Sequence, residues 1–219
     1  MLIIKSLRVG LVSSLFIMVG QLANASAEFE YVTPPEGQVK INSIIYGGSG
    51  CKQNSIATSV AKSGLNFGIS FDNYIAGIGG GFARHDKRKN CELRVELSVP
   101  SGYSYTIVDA NYRGFADLDN GINGTFVSRY HFQGELSEAT LNRSVRGPIN
   151  RDFTVSDSLD VESFVWSSCG ATAPVVLTTQ LNLKKTHTSN ANAEGVVGLD
   201  SVEGKLTHRY GLKWRRCSN

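Results

Sequence analysis

No two cysteines in this 219-residue chain lie close together in sequence. They stand at Cys51, Cys91, Cys169 and Cys217, so the short Cys-x-x-Cys pairs of structural zinc sites are missing. The histidines are as scattered: His85, His131, His187 and His208 form no His-x-His or His-Glu-x-x-His spacing. Gly77-Ile-Gly-Gly-Gly-Phe82 lacks both the Gly-Lys-Ser/Thr end of a phosphate loop and a helix after it. Gly47-Gly-Ser-Gly-Cys51 falls one residue short of a nucleophile elbow, because Cys51 stands where the last glycine belongs. Charge of one sign is scarce as well. The precursor carries +3, and without Lys5 and Arg8 it has 20 basic against 19 acidic residues, or +1. A chain so near neutrality has no general pull on nucleic acid. Past residue 27 no stretch is apolar enough to span a bilayer; the longest apolar cluster, Ala173–Leu177, is broken by Pro174.

The first 27 residues read as an export signal. Lys5 and Arg8 give the positive start, and Val9–Leu22 is the apolar run. Ala23-Asn-Ala25 and Ala25-Ser-Ala27 are small-x-small cleavage sites, and cleavage after Ala27 leaves Glu28 first. The expected compartment is extracellular, or periplasmic in a Gram-negative host. In that setting four cysteines imply two disulfides. Three pairings are open. The nearest-neighbour one, Cys51–Cys91 with Cys169–Cys217, is favoured, and the loop-entropy model assigns about 4 kcal/mol to each bridge. Both tryptophans precede a cysteine by three residues, at Trp166-Ser-Ser-Cys169 and Trp214-Arg-Arg-Cys217. On a strand that offset puts Trp and Cys on opposite faces.

The patterning is β throughout. Cys91–Val99 alternates apolar and polar without a miss, with Cys91, Leu93, Val95, Leu97 and Val99 inward. Leu65–Phe71 and Leu206–Trp214 alternate too, the second with His208 on its inner row. Further strands are expected at Val39–Tyr46, Tyr103–Phe115, Thr125–Phe132, Phe153–Ser156 and Val175–Lys184. Turn signals separate them at Gly79-Gly-Gly81, Pro100-Ser-Gly102, Asn120-Gly121, Asn123-Gly124 and Gly147-Pro148. Short strands between glycine turns point to an all-β, disulfide-stapled sandwich or jelly roll. The expected organisation is a signal peptide (1–27), a lead-in with the first strand (28–49), and the sandwich domain (50–219). Ser189–Glu194 reads as a polar loop.

Several motifs together resemble a known family. They are Arg88-Lys-Asn-Cys91 with Val99-Pro-Ser-Gly-Tyr103, Asn111-Tyr-Arg-Gly-Phe-Ala116, Tyr130-His-Phe-Gln-Gly134, Val165-Trp-Ser-Ser-Cys-Gly170 and the closing Trp214-Arg-Arg-Cys217. In order and spacing these resemble a family of small secreted proteins, fungal and bacterial, catalogued as domain of unknown function 4360. The resemblance runs from Gly50 to Cys217 and implies a secreted, cysteine-containing β protein with no assigned activity. It departs after Cys51, where Lys-Gln-Asn replaces a proline-containing turn.

The remaining candidates are ligand contacts. Trp166 and Trp214 supply rings, Tyr112 lies in an aromatic-rich stretch with Tyr103, Tyr105, Phe115 and Tyr130, and Arg88 belongs to a basic run with Arg84, His85, Lys87 and Lys89. Asp117, Asp119 and Asn123 faintly resemble a calcium loop, although Ser128 stands where its distal Glu belongs. A hairpin turn is the competing reading of the two Asn-Gly steps. No other cofactor is expected. Asn123-Gly-Thr125 and Asn142-Arg-Ser144 are glycosylation acceptors in a eukaryotic host.

The leading expectation is a non-enzymatic extracellular binding or structural module with polysaccharide as its ligand class. It should show exposed coplanar aromatics on one sheet face. One alternative is a glycosidase-like hydrolase. Asp109, Asp117, Asp119, Glu135, Asp157 and Asp160 are its stock of acids, and two must face each other across a cleft. The other is an effector or adhesin for a protein partner, which would need an exposed apolar patch.

Overall fold

The computed structural model describes residues 30–158, 164–170, 174–199 and 208–217. The export signal, Asp160, Ala173 and the first two positions of the Leu206–Trp214 strand lie outside the described residues. Among the described residues there is no helix. In chain order the strands are β1 (Tyr31–Val32), β2 (Ile41–Gly47), β3 (Ile56–Val60), β4 (Asn66–Phe71) and β5 (Ile75–Ile78). Then come β6 (Arg88–Leu97), β7 (Tyr103–Leu118), β8 (Ile122–Phe132) and β9 (Ala139–Arg146). The last are β10 (Ile149–Ser158), β11 (Val175–Lys185), β12 (Gly195–Gly198) and β13 (His208–Arg216).

They build two antiparallel sheets. The larger runs β3-β4-β13-β7-β12-β5, with β1 on β13 and β10 on β7; the smaller runs β2-β6-β11-β8-β9. The chain is therefore an all-β sandwich. Both lead-in strands are integral to it, since β1 pairs with β13 and β2 with β6.

Period-2 patterning explains which faces meet. In β6, Cys91, Leu93, Val95 and Leu97 are buried, while Arg88, Asn90, Glu92 and Arg94 are exposed. In β8 the inward row is Ile122, Gly124, Phe126, Ser128, Tyr130 and Phe132. The two inner faces interdigitate through rings: Tyr105 meets Phe132 edge-on at 5.1 Å, and Tyr112 meets Phe126 at 4.7 Å. Buried hydroxyls also bridge the sheets. Tyr74 donates to the Thr179 carbonyl at 2.9 Å, and the Tyr112 and Ser128 hydroxyls bond at 2.7 Å. Each large apolar side chain withdrawn from water contributes about 1.5–3 kcal/mol, and such a core drives collapse.

β7 is the pivot. Along one edge it pairs with β13 and then with β12; along the other it pairs with β10 from Asp109 onward. Opposite β13 it carries one extra residue, because Gly211 faces Asp109 while Leu212 faces Ile107. That bulge resets the alternation. Before it Tyr105 and Ile107 point inward; after it Ala110 and Tyr112 do.

Besides the two-residue β1, the structure adds four strands that patterning did not suggest. β3 is an edge strand with a mostly exposed, polar pattern, and β9 is exposed over much of its length. β5 and β12 have four residues each and contain glycine. Gly198 lies against the ring of Phe115, so this position has no room for a side chain. The turn reading also needs one correction. Asn120-Gly121 does turn between β7 and β8, with Gly121 at φ +80°, but Asn123-Gly124 lies inside β8.

Candidate ligand-binding face

β13 alternates except at Gly211, which Asp109 covers. His208, Tyr210, Leu212 and Trp214 are buried, and Arg209, Lys213 and Arg215 face away from the core. The last residue of β13, Arg216, is exposed. β1 places Tyr31 directly across from Arg215, which puts the tyrosine on the same outer face, 41% exposed.

A third piece completes this face. Between Tyr103 and Ile107 the free edge of β7 is covered by the segment Phe164–Gly170. The Ser167 amide donates to the Tyr105 carbonyl at 2.8 Å, and the Tyr105 amide donates to Ser167 Oγ at 3.0 Å. Ser104 Oγ donates to the Ser167 carbonyl and Thr106 Oγ1 to the Val165 carbonyl, both at 2.7 Å. The Gly170 amide donates to the Tyr103 carbonyl at 3.0 Å. These bonds satisfy two buried side-chain hydroxyls and the strand edge together. The Cys169–Cys217 disulfide ties the segment to the end of β13.

Trp166 is thereby set beside Tyr31. The two rings lie 6.3 Å apart, tilted by only 14°. Cations are interleaved with them. Lys213 Nζ sits 4.3 Å from the Tyr31 ring centre and 5.7 Å from that of Phe164, while the Arg215 guanidinium sits 4.3 Å from Trp166. Arg216 stands 5.3 Å from the ring of Tyr103. Each such contact is worth about 0.5–1 kcal/mol at an exposed site and more when desolvated.

The residues singled out from sequence scatter over the molecule. Trp166 is on this outer face, half-buried. Trp214 is in the core, its indole N–H donating to the Gly64 carbonyl at 2.9 Å. Tyr112 is fully buried too, its phenol held above the usual tyrosine range by desolvation. Neither ring offers a face to a ligand in solvent, which corrects their reading as contacts: inward position on an alternating strand decides it. Arg88 is exposed, but it belongs to the outer face of the other sheet, where it donates to Gln180 Oε1 at 3.0 Å. It is thus on the far side of the sandwich from Trp166. Tyr31, Phe164, Lys213 and Arg215 were missed as a group. Only the alternation about Trp214 hinted that Lys213 and Arg215 face outward.

The four cysteines form the disulfides Cys51–Cys91 and Cys169–Cys217, and none is free. The first is buried and the second lies at the surface. The Gly47–Cys51 stretch wraps the backbone of Asn90. Asn90 N–H donates to Ser49 Oγ at 3.2 Å, and Gly50 N–H donates to the Asn90 carbonyl at 2.8 Å. Ser49 is therefore a backbone clamp, not an activated hydroxyl.

Among the described residues the candidate acids are spread over both faces of the larger sheet. Asp157 faces the core side of β10, and burial raises its carboxyl above the usual range against the opposing pull of Arg143. Asp109 faces the outer side of β7, lies over Gly211 and accepts from Asn111 Nδ2 at 3.1 Å. Asp117 also faces outward, roughly 26 Å further along the strand at ~3.3 Å per residue. A glycosidase needs its two carboxyls within about 5–10 Å. The depression lined by Tyr46, Asn90, Glu92 and Arg94 holds one carboxylate, as does the one lined by Asp119, Asn120, Asn190 and Asn192. Asp117 and Asn123 project from opposite faces of the sandwich, and Asp119 Oδ2 accepts from the Glu194 amide at 2.8 Å. Among the described residues no group of three or more His, Cys, Asp or Glu is placed to hold a metal. No helix among them is long and apolar enough to cross a membrane.

Fold and disulfides define an all-β sandwich of the extracellular, disulfide-bonded kind. The chain belongs to the family described as Domain of unknown function (DUF4360), whose sequence pattern matches residues 37–217. A relative from Arthroderma benhamiae, described as an uncharacterized secreted protein, is 32% identical over 186 residues, covering 85% of this chain and 75% of its own length. The protein is secreted, a reading that the secreted relative and the two disulfides support. Among solved structures, TmCBM61 in complex with β-1,4-galactotriose aligns over 85% of this chain and 98% of its own, at 11% identity and a TM-score of 0.28. The enzymatically active domain of the bacteriophage CBA120 tailspike protein 4 aligns over 83% and 21%, at 12% identity and a TM-score of 0.26. Scores this low carry neither a fold nor a ligand across.

Proposed function

We propose that this protein is an extracellular binding module for polysaccharide, and that the face built by Tyr31, Phe164, Trp166, Lys213 and Arg215 is its contact surface. The observation behind the reading is the nearly parallel Tyr31–Trp166 ring pair on an outer sheet face. Two nearly parallel rings at one surface offer aromatic carbon against which the C–H groups of a sugar chain can be buried. The platform is also held in place from below. Backbone bonds to β7, pairing with β13 and a disulfide fix the two rings before any ligand arrives, which lowers the ordering cost of binding. Among the described residues the outer face of the smaller sheet carries no such ring pair: along β6 and β8 it presents Arg88, Glu92, Arg94, Arg129 and His131.

Soluble polysaccharides tested by affinity electrophoresis should include at least one that retards the protein. Trp166→Ala and Tyr31→Ala should each weaken that retardation at least tenfold. A panel of plant, fungal and bacterial polymers that leaves the mobility unchanged would remove the proposal.

A further inference from the structure

We infer that the polymer taken by this face is anionic, a polysaccharide bearing carboxylate or sulfate groups, with Lys213 and Arg215 meeting its charges. This rests on the polysaccharide reading above and narrows it.

The argument begins with what covers the rings. A neutral sugar stacks on an open ring face. Here Lys213 Nζ occupies one face of Tyr31 at 4.3 Å and the Arg215 guanidinium one face of Trp166 at 4.3 Å. What the surface presents to a ligand is positive charge backed by aromatic carbon. No carboxylate among the described residues lies within ion-pair distance of Lys213, so its contacts are rings. An ammonium on a ring face keeps its outward hydrogens for an acceptor that no described residue supplies. The neighbouring Arg215 guanidinium, stacked on Trp166 and engaged by a further contact, adds a second positive charge beside it.

Position along the strand extends the row. Arg209, Lys213 and Arg215 share the outward row of β13, and Arg216 follows at its end over Tyr103. Asp109 interrupts the row, because its carboxylate occupies the space above Gly211, between Arg209 and Lys213. The continuous cationic stretch is therefore Lys213 to Arg216, the part that carries the rings. Net charge is close to balance over the whole chain, so this stretch is a local feature and not a reflection of a basic protein.

The test is titration of the full secreted chain with three probes: polygalacturonate, the same polymer with its carboxyls reduced to neutral galactan, and dextran sulfate. Binding to one or both anionic polymers, at least tenfold weaker for the reduced one and weakened by added salt, is the expected result. Lys213→Gln and Arg215→Gln, which keep much of each stem, should each weaken it at least fivefold. Arg88→Gln, on the opposite face, should leave it unchanged. Equal binding of the neutral polymer, unaffected by Arg215→Gln, overturns the inference and leaves the polysaccharide reading standing. Anionic binding lost in Arg88→Gln and kept in Lys213→Gln overturns it by moving the site to the other sheet. Failure of all three probes, together with a silent wider panel, removes both.

Discussion

The imidazole of His208 packs edge-on against the ring of Tyr112, centroids 4.8 Å apart, in the middle of the sandwich. Phe71 at 4.6 Å and Phe126 and Tyr210, each at 6.4 Å, close the rest of its surroundings. Neither ring nitrogen has a hydrogen-bond partner among the described residues. Burial pushes this histidine down to about 3, because a charged imidazolium there would lose its hydration with nothing to replace it.

The pH dependence follows in sign and window. An unfolded histidine binds its proton near 6.5 and the buried one only near 3. Between those values the unfolded chain carries the extra proton, so stability falls as pH drops from about 6.5 towards 3, at about 1.4 kcal/mol per unit. Above the window the full stability is present. Urea unfolding at a series of pH values should show this slope. In His208→Leu the slope should shrink by that amount; an unchanged slope would mean that the ring is not buried neutral.

The two tryptophans should behave as opposites. Trp214→Ala removes a fully buried ring and strands the Gly64 carbonyl, at a cost of about 3–5 kcal/mol. Trp166→Ala removes a half-exposed ring and should cost about 1 kcal/mol or less. Fluorescence gives an independent readout. The chain with only Trp214 should emit at shorter wavelength and resist acrylamide, and the chain with only Trp166 should be readily quenched.

Gly50 lies against the face of Tyr74, where a Cβ would run into the ring. Tyr74 cannot yield freely, since its hydroxyl is bonded to Thr179 across the core. Gly50→Ala should therefore destabilise by about 1–3 kcal/mol, the usual range for overpacking. Gly81→Ala is the contrast in space: nothing lies within 4 Å of its Cβ position, so only its φ of +89° opposes the change. Thermal midpoints of the two variants separate contact from backbone strain.

Graded reduction should open the disulfides in order. Cys169 is exposed, whereas Cys51 and Cys91 are at 1% and 0% accessibility. Thiol labelling and mass spectrometry at rising reductant should find Cys169 and Cys217 labelled first. Loss of ligand binding should accompany that first step, because it frees the segment that carries Trp166.

Much of the fold was legible because its strands are half-buried. Cys91 to Leu97 and the row His208, Tyr210, Leu212, Trp214 alternate cleanly, and each inward residue is buried. β7 was harder to phase, since the bulge near Val108 shifts the inward set from Tyr105 and Ile107 to Ala110 and Tyr112. β5 and β12 were illegible for a different reason. Four residues rich in glycine give no periodicity, and only the register against β7 makes β12 a strand. The candidate face was the least visible. Tyr31 stands 184 positions before Arg215, and their meeting depends on one short antiparallel pairing that no local pattern announces.

The cover over β7 has a consequence for how the molecule behaves in company. Between Tyr103 and Ile107 the strand has an edge that β10 does not reach, and Ser167 and Gly170 answer its carbonyls. An uncovered edge is a row of open donors and acceptors, ready to accept a strand from a second molecule. The bridge at Cys169 and Cys217 keeps the cover down. In an oxidising medium the bridge thus holds the cover over this edge, and reduction removes the covalent tie that keeps it there.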